Sequence, residues 1–173
     1  MAVAKDFAMS DNERKLRVLI VDDEEDLVTF LAKRLFKRGY HVVTTTTGPE
    51  ALAIATRESF DVAIVDLKMP HMDGVEVIEK LNVLQPFLES IMFTGHGNTE
   101  TALEAGKLDV FKYLTKPCDF EVIIEAIEGA GVQRRNKLRE QFQEKLQDVM
   151  EHASTPRDIL EASNKLREEY EQD

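Results

Sequence analysis

The chain has 173 residues, an apolar fraction of 43% and a formal net charge of −11 at pH 7. That length holds one domain of ordinary size plus an appendage, and that apolar fraction is ample for a packed core, which excludes a disordered chain. The acidic balance argues against a broad nucleic-acid-binding surface, because phosphate backbones are held by clustered Lys and Arg.

Residues 1–15 are polar, carry no apolar segment of the signal-peptide kind, and are expected to form a short mobile leader. Leu16-Arg17-Val18-Leu19-Ile20-Val21 is a β-branched apolar run that stops at Asp22-Asp23, the pattern of a buried strand. Leu27, Phe30, Leu31 and Leu35 then recur at helical spacing, and Gly39 behind Lys37-Arg38 ends that helix. Tyr40 to Thr46 reads as a second strand. Gly48-Pro49 opens a second helix whose apolar face is Ala51, Leu52, Ile54 and Ala55. Phe60 to Val65 is a third strand ending at Asp66, followed by a loop with Pro70 and Gly74 and a helix over Val75 to Leu84. Ser90 to Thr94 is a fourth strand broken by Gly95 and Gly97, with a helix over Thr99 to Lys107. Val110 to Leu114 is a fifth strand, closed by Thr115-Lys116-Pro117, and a last helix starts near Asp119.

Strands alternating with helices imply right-handed βαβ crossovers, hence an α/β fold with a doubly wound, five-stranded parallel sheet covered on both faces. In such sheets ligands bind outside the carboxyl ends of the strands, near the switch in strand order. Asp22-Asp23, Asp66, Thr94 and Lys116 all lie at or just beyond a strand end. Any one of them has an ordinary structural explanation: an N-cap for an aspartate, a β-branched strand residue for Thr94, a solvated charge for Lys116. Their coincidence at different strand ends favours a common site. Three carboxylates in one pocket repel one another, and a divalent cation relieves the cost; Mg²⁺ suits carboxylate, carbonyl and water oxygens. One carboxylate can then act as nucleophile toward a phosphoryl group, with Lys116, Thr94 and loop N–H groups stabilising the negative charge that develops.

Val18-Leu19-Ile20-Val21-Asp22-Asp23-Glu24, Asp66-Leu67-Lys68-Met69-Pro70-His71-Met72-Asp73-Gly74, Phe93-Thr94-Gly95-His96-Gly97 and Tyr113-Leu114-Thr115-Lys116-Pro117 resemble the four signature segments of response-regulator receiver domains, over residues 16–134. The resemblance implies the flavodoxin-like receiver fold and makes Asp66 the phosphorylated aspartate. It implies that Asp23 binds Mg²⁺ directly, that Asp22 acts mainly through water, and that the carbonyl of Lys68 is a further ligand. It assigns Lys116 to the phosphoryl oxygens, Thr94 to the switch hydroxyl and Tyr113 to the switch aromatic, and it implies a cis Lys116–Pro117 bond. The resemblance also places Lys68 and His96 at the positions that line the pocket mouth in this family. Asp109, where many relatives have Gly, and Lys112, where many have Asp, depart from the family pattern beside the switch aromatic. Asp109 is expected to need a left-handed or turn conformation.

Residues 135–173 extend beyond the usual end of such a domain. They carry 7 Lys and Arg against 10 Asp and Glu, so they form no basic arm. Leu138, Phe142, Leu146, Val149 and Met150 recur at helical spacing. Thr155-Pro156 with Asp158 restarts a helix whose stripe is Ile159, Ala162, Leu166 and Tyr170. Two amphipathic helices joined by a short turn are expected. Helices this short are marginal alone, so they pack on the receiver, on each other or on a partner chain.

Cys118 is the single cysteine, which excludes an intrachain disulfide. His41, His71, His96 and His152 show no metal-binding spacing, and no apolar run approaches a membrane span. The expected function is a cytoplasmic signalling switch with Mg²⁺ as cofactor. A sensor histidine kinase or phosphotransfer protein phosphorylates it, and it acts on a downstream protein without direct contact to nucleic acid or membrane. A homodimer through the last receiver helix and the C-terminal helices is a further expectation. The alternatives are a receiver-type fragment of a longer regulator, a Mg²⁺-dependent phosphohydrolase (which would want a DxD-type motif that Asp22-Asp23 and Asp66 do not supply) and a receiver-like interaction module without phosphotransfer.

Overall fold

The structure, a computed structural model, describes residues 15–95, 108–153 and 155–171. All but the last residue of the expected leader, the helix expected over Thr99–Lys107, and His96 lie outside the described residues. The described elements are β1 (Arg17–Val21), α1 (Glu25–Lys37), β2 (His41–Thr45), α2 (Gly48–Ala55), β3 (Val62–Val65), α3 (Gly74–Leu84), β4 (Glu89–Thr94), β5 (Lys112–Thr115), α4 (Phe120–His152) and α5 (Pro156–Glu171). They divide into two compact units, Lys15–Arg134 and the residues from Arg135 onward.

In the first unit the five strands form one parallel sheet in the order β2-β1-β3-β4-β5, the arrangement that the strand–helix alternation implies. Side chains leave alternate faces of a strand, and the two cores follow that period of two. Val18, Ile20, Val62, Ile64, Ile91, Phe93 and Leu114 pack with α1 and α4 on one face. Leu19, Val21, Ala63, Val65 and Met92 pack with α2 and α3 on the other. Because both faces are covered, β1, β3 and β4 read as nearly unbroken apolar runs.

Element ends differ from expectation where a side chain or turn captures a backbone group first. The Phe60 N–H donates to Oε1 of Gln85 at 2.8 Å, so β3 begins only at Val62. The Val110 N–H turns back to the Leu108 carbonyl at 2.9 Å, and β5 begins at Lys112. Phe30 does not belong to the core stripe of α1: it is 52% exposed, and Val28, Leu31 and Leu35 are the buried residues. One residue is about 100° of helix rotation, so Phe30 points well away from its neighbour Leu31. Asp109 takes the turn alternative and not the left-handed one: it is the central residue of the tight turn closed by the Val110–Leu108 bond, and among the described residues positive φ occurs at His71 (72°) and Gly39 (94°).

At the amino-terminal edge of the sheet a buried polar group ties α4 down. Arg134 Nη1 lies 3.2 Å from Oδ1 of Asp61, whose Oδ2 accepts the Arg17 N–H at 2.6 Å. Gln133 donates to Oε2 of the buried Glu89 at 3.0 Å. Gly129 and Gly131 do not interrupt α4. They let it approach closely, since a Cβ at Gly129 would stand 2.8 Å from the Phe111 ring and one at Gly131 2.7 Å from Leu16 Cδ1. The helical cost of glycine, about 1 kcal/mol each, is offset by that packing.

In the second unit the first of the two expected helices is the unbroken continuation of α4. Leu138, Phe142, Leu166 and Tyr170 are buried, with the Phe142 and Tyr170 rings edge to face at 5.6 Å. The Tyr170 hydroxyl donates to Gln141. Met150, expected on this stripe, is exposed instead. α5 opens with a capping box: Oγ1 of Thr155 accepts the Asp158 N–H at 3.2 Å and Oδ2 of Asp158 accepts the Thr155 N–H at 3.0 Å. No helix among the described residues is long and apolar enough to cross a membrane.

Gly74 opens α3 against the end of β3, where a Cβ would stand 2.1 Å from the Asp66 carbonyl oxygen and 2.9 Å from Leu67 Cα. Both obstacles are backbone and have little room to yield. Gly74→Ala is therefore expected to lower the unfolding free energy by about 2 kcal/mol or more. Urea denaturation of the variant checks this, and an unchanged midpoint would contradict the close approach.

Candidate functional site

The site lies where the strand order reverses. β1 stands between β2 and β3, so helices leave β1 and β3 toward opposite faces and a crevice opens above their carboxyl ends. The register fills that crevice. Val21 pairs with Val65, and the Asp66 N–H donates to the Val21 carbonyl at 2.9 Å, which sets Asp22 and Asp66 side by side. Thr94 pairs with Thr115, and the Lys116 N–H donates to the Thr94 carbonyl at 2.8 Å. The ends of β1, β3, β4 and β5 thus deliver Asp22 and Asp23, Asp66, Thr94 and Lys116 to one edge.

Asp22, Asp23 and Asp66 each present a carboxylate oxygen within 4.8 Å of the others; Asp22 and Asp66 are buried and Asp23 is exposed. Such an all-oxygen set fits a hard divalent cation such as Mg²⁺. The environment of Asp66 supports the fit. Its carboxylate is stabilised by the Thr94 hydroxyl and the Lys68 N–H, while Oδ1 is buried with no hydrogen-bond partner and has the Lys116 ammonium 3.6 Å away. A buried carboxylate oxygen without a partner is costly and marks a place prepared for a ligand. The Lys68 ammonium is turned to the rim, 3.7 Å from Oδ2 of Asp73.

Lys116 is largely enclosed. Its Nζ lies 2.6 Å from Oδ2 of Asp22, 2.8 Å from Oε1 of Glu24 and 3.6 Å from Oδ1 of Asp66. Glu24 was legible only as a member of the Asp22-Asp23-Glu24 segment; contact with a lysine 92 residues away in sequence leaves no local signal. The Lys116–Pro117 bond is cis. Tyr113 packs against the α2–α3 face, and its buried hydroxyl finds no hydrogen-bond partner among the described residues.

The electrostatics follow from burial. Desolvation pushes the Asp66 carboxyl above the ordinary value of 3.8, against the pull of Lys116, the Thr94 hydroxyl and the Lys68 N–H. Desolvation likewise raises Asp22, opposed by its hydrogen bonds to Lys116 and the Glu24 N–H. Burial alone would lower Lys116, but hydrogen bonds to Asp22 and Glu24 and the charges of Asp22 and Asp66 outweigh it, and its pKa stands raised. Cys118, just past the cis bond, is raised by desolvation and by the Asp119 charge. One ammonium shared among buried carboxylates leaves an excess of negative charge that a cation relieves.

A family model described as the response regulator receiver domain matches residues 18–128. The transcriptional regulatory protein GlrR of Escherichia coli (strain K12) is 35% identical over 133 residues, which cover 77% of this chain and 30% of that protein. This chain therefore spans less than a third of that relative's length. Sporulation initiation phosphotransferase F of Bacillus subtilis (strain 168) is 31% identical over 111 residues, 64% of this chain and 90% of that protein. Among solved structures, a CheY-like response regulator receiver domain protein from Methanospirillum hungatei JF-1 matches with a TM-score of 0.69 and 30% identity, over 72% of this chain and 99% of that one.

The raised carboxyl of Asp66 has a stability consequence in metal-free buffer. The folded state holds this proton more tightly than the unfolded chain does, so the group's contribution is fully present below about pH 3.8 and is lost as pH rises through the folded value. Asp66→Asn removes that loss. The variant is expected to be more stable than the parent by on the order of 1 kcal/mol at pH 7, with the advantage shrinking as the pH approaches 4. Denaturation with EDTA across this range checks it; a variant less stable at neutral pH contradicts the sign.

Proposed function

The chain belongs to the response regulator receiver family, and on that premise we propose that it takes a phosphoryl group on Asp66 and works as a phosphorylation-controlled switch. The observation that carries the reading is the state of Asp66: buried, with one carboxylate oxygen unpartnered, beside two further aspartates and within 3.6 Å of an ammonium. The donor is a phosphohistidine on a sensor kinase or phosphotransfer protein. A carboxylate oxygen of Asp66 attacks the phosphorus, the new O–P bond forms as the N–P bond breaks, and the imidazole nitrogen leaves with the electron pair and is protonated.

Asp22, Asp23 and Asp66 with the Lys68 carbonyl would hold Mg²⁺, which would neutralise charge on the transferred oxygens. Lys116 supplies a second positive charge to those oxygens, and the Lys68 N–H and Thr94 hydroxyl supply hydrogen bonds. Modification adds charge and acceptor oxygens at Asp66, which favours the arrangement in which Thr94 is drawn to the site and Tyr113 packs inward. The inward Tyr113 and the Thr94–Asp66 hydrogen bond are consistent with that arrangement. The chain is a phosphoacceptor and no enzyme beyond its own phosphorylation and dephosphorylation. It acts in the cytoplasm through protein contacts, without direct contact to nucleic acid or membrane; the acidic helical extension suits a protein partner or a second copy better than nucleic acid.

Incubation with Mg²⁺ and acetyl phosphate is expected to give a single phosphoryl adduct, mapped to Asp66 by borohydride trapping and mass spectrometry and lost in Asp66→Asn. An adduct elsewhere, or none, removes this reading. Thr94→Ala is expected to keep most of the adduct, within about tenfold of the parental rate. It is also expected to abolish the spectral change at Tyr113 that beryllofluoride induces. A normal Tyr113 response in that variant would disprove the switch role of Thr94.

A further inference from the structure

Glu24 is an N-cap residue that does not cap: its side chain makes no bond to the first turn of α1. Its N–H instead donates to Oδ1 of Asp22 at 3.0 Å, and its carboxylate reaches across to Lys116, 2.8 Å from Nζ. The same ammonium is 2.6 Å from Asp22 and only 3.6 Å from Asp66, beyond hydrogen-bond distance. Lys116 is thus held on the Asp22–Glu24 side of the pocket, while the oxygens it must meet in the proposed reaction grow on the Asp66 side.

We propose that Glu24 is a positioning residue that competes with the phosphoryl group for Lys116, holding the ammonium back in the resting state and thereby weakening capture of a phosphoryl group at Asp66. The inference rests on Asp66 being the acceptor. Were Asp22 engaged by a bound cation, Glu24 would be the anionic partner left to Lys116 outside the acceptor itself. Its carboxylate is well exposed, so its hold is limited to the strength of a partly screened ion pair, and the effect of removing it is a few-fold.

The test is beryllofluoride affinity at saturating Mg²⁺, followed by ¹⁹F NMR, in the parent and in Glu24→Gln, Glu24→Asp and Glu25→Gln. Glu24→Gln is expected to bind about three- to fivefold more tightly and to be phosphorylated faster by acetyl phosphate. Glu24→Asp, which keeps the charge, should stay within about twofold of the parent. Glu25→Gln removes a neighbouring charge for which the structure records no contact with Lys116. It should also stay within about twofold, which separates the specific contact from a general change in field. An unchanged Glu24→Gln, or a gain in Glu25→Gln equal to that in Glu24→Gln, overturns the assignment. Absence of beryllofluoride binding by the parent would instead overturn the acceptor role of Asp66, a different result.

Discussion

The balance of charge at the carboxyl edge of the sheet governs everything else in this protein. Three aspartates converge there, two of them buried, and one enclosed lysine serves them. Burial makes each charge expensive, so the pocket is stable only while positive charge is close and well placed. The same imbalance suits the pocket to a divalent cation, which would relieve the repulsion among the carboxylates. Function here is built on a local electrostatic deficit that the rest of the fold tolerates.

The rest of the fold can tolerate it because the sheet is otherwise uncompromised. β1 from Val18 on, β3 and the middle of β4 (Ile91–Phe93) are apolar on both faces and clamped by helices from both sides, which fixes the strand ends. Gly74 allows α3 to start directly against the Asp66 carbonyl, and its N–H donates to the Leu67 carbonyl at 2.9 Å. At the opposite edge the Arg134–Asp61 pair and the Gln133–Glu89 hydrogen bond fasten α4. Most of the buried charge thus lies at the two edges, and at the carboxyl edge Oδ1 of Asp66 is buried without a hydrogen-bond partner.

The extension obeys the same physics at smaller scale. A helix pair of this length has little apolar area, and its described core is a short stripe in which Phe142 and Tyr170 meet edge to face. α4 reaches the extension without a break because glycine at 129 and 131 relieves crowding against Phe111 and Leu16. A glycine pair that weakens a helix in isolation serves here as a packing surface.

The sequence by itself determined the alternation of strands and helices, and with it the parallel sheet, the two cores and the strand ends at which chemistry is possible. Those features are local: a β-branched run bounded by aspartate, or a repeat of three and four, is written in neighbouring residues. It also named Asp22, Asp23, Asp66, Thr94 and Lys116 as one constellation, because topology brings strand ends together whatever the details of packing. Only the tertiary structure decided which carboxylate holds Lys116, that Phe30 faces outward while Val28 faces in, that Asp109 turns without a positive φ, and that α4 continues past its glycines. Each depends on contacts between residues far apart in the chain, or on a helix rotation of a single residue, and neither leaves a periodic trace. The contact between Glu24 and Lys116 spans 92 residues, and it emerges only when the sheet has closed.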